Sequence, residues 1–452
     1  MTRLFSPMTA PIDRRRLLAG ASSTVLGGFL ASGAQAQQPK NVLSGDVSEA
    51  NLKPRAIAMP VFIGDDPQFA EQLTQVAAND LVNSGLFKII DPRAYIEQIR
   101  DVNQTPRYQD WRTIGAEALL IGRTFRNPDG RQRAEFRLWD PVLGKQLDAQ
   151  GLLIAPQLWR RLAHQIADRV YEKMTLEKGY FDSQIVFVDE TGPKARRIKR
   201  LTIMDQDGFG PRLLTDGKEL SITPRFNPTS AEICFMQYQG EQPRVFLMNT
   251  ETGQREPVPV PGLSYGPRFS PDGQKLVFTV SEGAAGSLVE MDLRSKQMRR
   301  LTQPQSIDTG ASYAPDGRAL VFESDREGTQ QLYILDIARG GAIQRLSRGD
   351  GRYSTPVWSP RGDFIAFTKQ GGGQFLIGVM RADGTGERIL SSGFHNEGPT
   401  WAPNGRVIMF FREGQGATAG PRLFSVDLTG QNERQVPTPS FGSDPAWSPL
   451  RT

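Results

Sequence analysis

The chain has 452 residues, enough for two or three domains with well-formed cores, and its 23 % charged and 38 % hydrophobic residues are those of a soluble globular protein. The formal charge of +5 falls to +2 without the first 36 residues, which hold Arg3, Arg14, Arg15, Arg16 and Asp13, so charge gives no case for nucleic acid or an anionic membrane. A single cysteine, Cys234, excludes an intramolecular disulfide; lying in an apolar run, it reads as a buried structural thiol.

Residues 1–36 read as an export signal that is removed. Asp13-Arg-Arg-Arg-Leu-Leu18 opens a mildly apolar run to Leu30, and Ala34-Gln-Ala36 is a small-x-small cleavage site. The paired arginines resemble a twin-arginine signal, with a general secretory leader as the other reading. No later segment is long and apolar enough to span a bilayer as a helix, so the mature chain is expected to be soluble in an exported compartment. Residues 37–52 are polar and read as a mobile N-terminal segment.

An α/β domain is expected over 53–178. Arg55–Phe62 reads as a strand. Asp66 caps a helix with Pro67 in its first turn, an apolar stripe of Phe69, Leu73, Val76, Ala77 and Leu81, and a stop at Gly85. Leu86–Ile90 reads as a strand and Asp91-Pro92 as the start of a second short helix. Strands follow at about 117–125, 132–139 and 146–154. Pro156 then opens a long helix whose Trp159, Leu162, Ala163, Ile166, Val170 and Met174 share one face; that spacing is core packing.

Residues 179–452 carry six copies of one phrase. It is Pro-Arg-Phe-Asn-Pro at 224–228, Pro-Arg-Phe-Ser-Pro-Asp-Gly at 267–273 and Ala-Ser-Tyr-Ala-Pro-Asp-Gly at 311–317. It recurs as Pro-Val-Trp-Ser-Pro-Arg-Gly at 356–362, Pro-Thr-Trp-Ala-Pro-Asn-Gly at 399–405 and Pro-Ala-Trp-Ser-Pro at 445–449. Starts lie 43, 44, 45, 43 and 46 residues apart, a period that predicts propeller blades of four short strands. The aromatic of each phrase packs between blades, and the Pro-Asp-Gly that follows is a turn in which proline presets φ and glycine accepts φ > 0. The stretch 184–215 supplies three strands with no phrase before them, while the sixth phrase has no strands after it. The C-terminal strand is therefore expected to close a six-bladed all-β propeller.

Sequences that look like chemistry resolve into structure. Gly262-Leu-Ser-Tyr-Gly266 matches a serine-hydrolase elbow, but no helical pattern follows it and the chain has only two histidines, His164 and His395. Arg361-Gly-Asp363 occupies the repeat's turn. Gly414–Gly420 joins two strands without a βαβ unit around it. Lys194–Arg200 reads as a solvated hairpin away from the channel mouth, an acidic-partner patch being the alternative. No cofactor or metal-ligand spacing is present in the sequence.

With its leader, an α/β domain opening Pro54-Arg-Ala-Ile-Ala-Met-Pro-Val-Phe62, the joining stretch Lys178-Gly-Tyr-Phe-Asp-Ser-Gln-Ile-Val-Phe-Val188 and six propeller phrases, the chain resembles the TolB family of the Tol–Pal envelope system. The resemblance covers nearly the whole mature chain. It implies a non-enzymatic periplasmic protein that binds the peptidoglycan-associated lipoprotein Pal at the propeller's mouth. It also implies a connection with TolA through residues 37–52, and a role in outer-membrane integrity and constriction during cell division. A monomer without nucleic-acid partners is expected. The twin-arginine-like leader and Asn227-Pro-Thr-Ser230 depart from the family pattern. A propeller hydrolase and a glycan-binding propeller are the rival readings.

In a propeller, the loops entering each innermost strand converge on one channel mouth. Here they are expected to end in Thr223; Ser264 and Tyr265; Asp308, Thr309 and Gly310; Ser354 and Thr355; Asn396 and Glu397; and Ser443 and Asp444. These small, polar, mildly acidic residues are the expected partner-binding set.

Overall fold

The structure, a computed structural model, describes residues 53–451 except 261 and 417. The export signal and the whole 37–52 segment lie outside the described residues.

The α/β part opens with β1 (Arg55–Ala58), shorter than expected because the chain leaves the sheet at Met59-Pro60 and returns as the two-residue β2 (Ile63–Gly64). Helix α1 (Pro67–Asn83) starts as the sequence requires: the Asp66 carboxylate accepts the Phe69 N–H and Pro67 stands where no N–H is needed. After β3 (Phe87–Ile89), Asp91-Pro92 makes only one 3₁₀ turn, Pro92–Ala94, and α2 is a six-residue helix (Tyr108–Thr113) that the sequence analysis does not anticipate. Strands β4 (Ala118–Arg126), β5 (Gln132–Asp140) and β6 (Lys145–Ile154) and helix α3 (Trp159–Thr175) follow. The sheet order is β3-β1-β4-β5-β6, with β1 parallel to β3 and β4 and the last three strands antiparallel.

Six four-stranded antiparallel sheets make the propeller. The inner strands of blades I to V are Ser221–Phe226, Ser264–Phe269, Asp308–Tyr313, Arg352–Trp358 and His395–Trp401. Blade VI takes its inner strand from the C-terminus, Phe441–Trp447, and its other three from Gln184–Thr191, Ile198–Asp205 and Arg212–Leu213. The ring thus closes as the orphan phrase requires, with Ala446 opposite Val186 and Trp447 opposite Ile185. Trp447 is buried; its Nε1 donates to Ser183 Oγ at 2.8 Å and its ring meets Tyr180 edge-on at 5.7 Å. Cys234 is fully buried, which pushes its thiol up to about 12.

In an up-and-down blade the turns after the inner and third strands lie on one face, and those after the second and outer strands on the other. The α/β domain packs on the first face. Arg406 Nε and Arg361 Nη1 reach Glu177 at 2.6 and 3.2 Å, Asn404 Nδ2 donates to Lys178 O, and Asn432 Nδ2 donates to Asn83 O. Arg361-Gly-Asp363 is thus a blade turn used to hold the domains together. One hydrophobic core runs through the contact, from Leu73, Ile166 and Tyr171 to Ile185, Met409 and Trp447.

A buried ionic network lies at this contact. His164 Nδ1 is 2.6 Å from Asp80 Oδ2, its Nε2 faces Asp205 at 3.7 Å, and Gln206 Nε2 donates to Asp80. Burial alone would lower the His164 pKa, but the carboxylates of Asp80 and Asp205 lift it to about 10. His164, Asp205 and Asp207 bring three potential ligand atoms within 4.8 Å of one another. The two carboxylates of that group are, however, already paired with arginines. Arg160 pairs with Asp207 and lies 3.5 Å from Asp205, while Arg451 reaches Asp205 at 3.2 Å. The cluster is an ion-pair lock between domains rather than a metal centre.

Candidate functional site

The channel mouth lies on the face opposite the α/β domain, where the chain enters each inner strand. The residues expected there as loop ends belong instead to the inner strands themselves. Each of those strands carries a β-bulge at the same level, between Ile222 and Arg225, Tyr265 and Arg268, Thr309 and Ser312, Ser354 and Val357, Glu397 and Thr400, and Ser443 and Ala446. A bulge turns the strand and re-aims its side chains. The first bulge residue has positive φ in all six blades: Thr223 (51°), Gly266 (63°), Gly310 (63°), Thr355 (47°), Gly398 (67°) and Asp444 (48°).

Glycine takes this conformation without strain; threonine and aspartate do not, and β-branched threonine least of all. The two threonines stand in blades I and IV, across the channel from each other, and their amides are capped by carboxylates. Thr355 N–H donates to Glu323 Oε2 at 2.7 Å, and Thr223 N–H lies 3.4 Å from Asp444 Oδ2. Thr355 Oγ1 also shares a 2.7 Å hydrogen bond with Thr368 Oγ1. The positive-φ residues thus stand at one level of the inner strands in every blade.

The bulges divide the twelve expected residues into two groups. Ser264, Asp308, Asn396 and Ser443 are buried and turn their polar atoms into the fold. Ser264 Oγ accepts from Val245 N–H at 3.2 Å, and Ser443 Oγ donates to Glu190. Asp308 accepts from Ser306, Ser324 and Arg326, while Asn396 accepts from Arg412 and donates to Ser391. The loop-end exposure expected of these four is corrected: they brace the rim. Ser264 has no histidine bonded to it, since His164 lies in the domain contact and His395 Nε2 pairs with Glu397 at 2.8 Å. The other eight, Thr223, Tyr265, Thr309, Gly310, Ser354, Thr355, Glu397 and Asp444, keep partial exposure at the rim.

Three charged residues at this level escape a reading by loops. Glu323 sits on the second strand of blade III opposite Thr309, where the other blades have Met236, Thr279, Thr368, Phe411 and Val188. Its burial, aided by the charge of Glu397 and opposed by the Thr355 N–H, raises its carboxyl to about 7. Arg225 and Arg268 follow the bulges of blades I and II. The signal for all three is a charge at a register position where other repeats carry small or apolar residues. The basic hairpin Lys194–Arg200 is also corrected. It joins second and third strands, so it rises on the mouth's own face, where Lys194 pairs with Glu413 at 2.8 Å.

An α/β domain locked to a six-bladed propeller, with a polar rim on the free face, defines a scaffold that presents a channel mouth. Residues 171–451 match the family model for the TolB beta propeller domain and residues 44–147 that for the TolB amino-terminal domain. The crystal structure of TolB from Acinetobacter baumannii superposes with a TM-score of 0.77 at 25 % identity, over 88 % of this chain and 97 % of that one. Hydrazine synthase from Kuenenia stuttgartiensis has a TM-score of 0.48 at 12 % identity, over 59 % of this chain and 47 % of that one, and bears on nothing beyond. The chain belongs to the TolB family, whose fold and domains point to a non-enzymatic component of the Tol–Pal system. Among the described residues no helix is long and apolar enough to cross a membrane.

Proposed function

We propose that this protein works in the periplasm by docking the peptidoglycan-associated lipoprotein Pal at the mouth, and that residues 37–52 connect it with TolA. Through these contacts it maintains outer-membrane integrity and supports constriction during cell division. One observation carries the reading: a continuous six-blade rim of bulged, partly strained, polar backbone on the face that the α/β domain leaves free. A docking partner is recognised by one or two side chains at the centre of such a rim, with polar groups around it setting register. Thr223, Tyr265, Thr309, Gly310, Ser354, Thr355, Glu397 and Asp444 are the proposed contacts; Ser264, Asp308, Asn396 and Ser443 hold them in place. Neither rival reading has an observation in its favour. The hydrolase lacks an available nucleophile, and a glycan site would want more rim aromatics than Tyr265.

Calorimetric titration of the mature protein with the soluble domain of Pal tests the docking. Tight binding that is lost in rim variants supports it, and binding unaffected by every rim variant sends the site elsewhere. Deleting residues 37–52 should abolish capture of TolA while leaving Pal affinity unchanged. Export rests on Arg14 and Arg15: replacing both by Lys should leave precursor in the cytoplasm if the twin-arginine route is used, and normal processing would assign a general secretory leader instead.

A further inference from the structure

Arg225 and Arg268 occupy the same register on adjacent inner strands, one opposite Cys234 and the other opposite Val277, just below the bulges of blades I and II. The equivalent positions elsewhere are Ser312, Val357, Thr400 and Ala446. Two of these tie blade to blade: Ser312 Oγ accepts the Trp358 N–H at 3.1 Å, and Thr400 Oγ1 accepts the Trp447 N–H at 3.2 Å. A guanidinium has no acceptor and cannot make that tie.

The arginines gain nothing comparable in exchange. Among the described residues, Arg225 Nη1 donates only to the carbonyl of its neighbour Pro224, at 2.7 Å. Among the described residues, Arg268 has no hydrogen bond or ion pair. Burial, with the charge of Arg225 adding to it, depresses Arg268 to about 9, and burial lowers Arg225 against the opposing pull of Asp444 and Cys234. Both residues are half-buried on inner strands, the strands that line the channel of a propeller. Two neighbouring cations with one carboxylate, Asp444, acting on the first and none on the second are under-neutralised, and the remedy is an anion between them. The acids of the rim, Glu323, Glu397 and Asp444, stand in blades III, V and VI. The channel is therefore unevenly charged, basic on blades I and II and acidic on the blades that flank them and on blade V across from blade II.

We propose that Arg225 and Arg268 form a carboxylate seat inside the channel, below the mouth. Planar guanidinium forks match a carboxylate in two-point hydrogen bonding better than they match a point anion. The carboxylate comes either from an acidic side chain of the docked partner or from a small free acid. The first source rests on the docking reading above; the second does not.

The probe for the seat itself is [13C]acetate, observed by NMR line broadening with the full mature protein. Wild type should broaden the line, while Arg268→Gln and Arg225→Gln should not, at unchanged circular dichroism. Arg268→Lys, which keeps charge but not the fork, should restore only part of the effect. Equal broadening by wild type and both glutamine variants overturns the seat. For the source, acidic residues of the soluble Pal domain are neutralised one at a time and titrated against wild type and Arg268→Gln. One substitution that costs tenfold or more against wild type and nothing against Arg268→Gln assigns the seat to the partner's side chain. Acetate broadening without such a pair assigns it to a free acid. If Pal does not bind the mouth at all, the acetate experiment still decides the seat.

Discussion

The Glu323 carboxylate accepts the amide of Thr355, a residue of the next blade held at positive φ, at 2.7 Å. Burial raises this carboxyl from 4.5 to about 7, with Glu397 adding to the shift and the Thr355 amide opposing it. The folded protein therefore binds this proton more tightly than the unfolded chain. Stability contributed here is present below pH 4.5 and is lost as pH rises through 7, by up to about 3 kcal/mol. Glu323→Gln keeps an acceptor for Thr355 and cannot ionise. Urea midpoints measured from pH 5 to 8 should fall less steeply in this variant, and it should match or exceed wild type at pH 8. Parallel curves would show that Glu323 does not titrate in this range.

Closure of the ring rests on Trp447, which is 7 % exposed, donates to Ser183 and packs against Tyr180. Trp447→Ala should destabilise the protein by about 3–5 kcal/mol, and Trp447→Phe, which loses chiefly the hydrogen bond, by about 1–2 kcal/mol. Chemical denaturation of both variants checks the ratio. Equal losses would mean that the ring's volume is immaterial.

At the rim, Thr309→Arg adds bulk and charge at a partly exposed position, and Tyr265→Ala removes the one rim aromatic among the proposed contacts. Each should weaken binding of soluble Pal by about 1.4 kcal/mol or more, a tenfold change, with Tm near wild type. Ser264→Arg should instead unfold the blade, because Ser264 is 1 % exposed and bonded to Val245. A binding loss without a Tm loss at Ser264 would contradict its bracing role.

The repeats were legible because each phrase carries its whole local chemistry, from the inter-blade aromatic to the Pro-x-Gly turn; closure was legible because one phrase lacked strands and three strands lacked a phrase. Helix α2 was not, since six residues hold too few turns for a period to register. The rim was legible only in outline. A bulge shifts the alternation of inward and outward side chains by one, and nothing in Ser264-Tyr265 or Asn396-Glu397 states which member faces inward. Arg225 and Arg268 stand inside the repeat phrase and Glu323 at the end of a strand, and a lone charge there does not state that its side chain lies at the level of the bulges. The face on which Lys194 lies is not legible either, because a hairpin's basic charge says nothing of which strands it joins.

His164 gives the contact between the domains a pH signature. Fully buried between Asp80 and Asp205, with Arg160 and Arg451 balancing the carboxylates, it holds its proton to about 10 against an ordinary 6.5. A raised histidine contributes stability that is fully present below pH 6.5 and is lost as pH climbs through 10. Wild type should therefore lose stability between pH 7 and 10. His164→Gln should be less stable at pH 6 by about 3–5 kcal/mol, because it leaves Asp80 buried without its cation, and should lose less on going to pH 10. Urea denaturation at pH 6, 8 and 10, followed by tryptophan fluorescence, makes the comparison; buried Trp447 and Trp111 report from either side of the contact. Adding Asp80→Asn removes the stranded carboxylate and should recover part of the loss. If wild type and His164→Gln fall in parallel from pH 7 to 10, the imidazole is neutral in the folded protein and the domains are held by the arginine pairs and the shared apolar core alone.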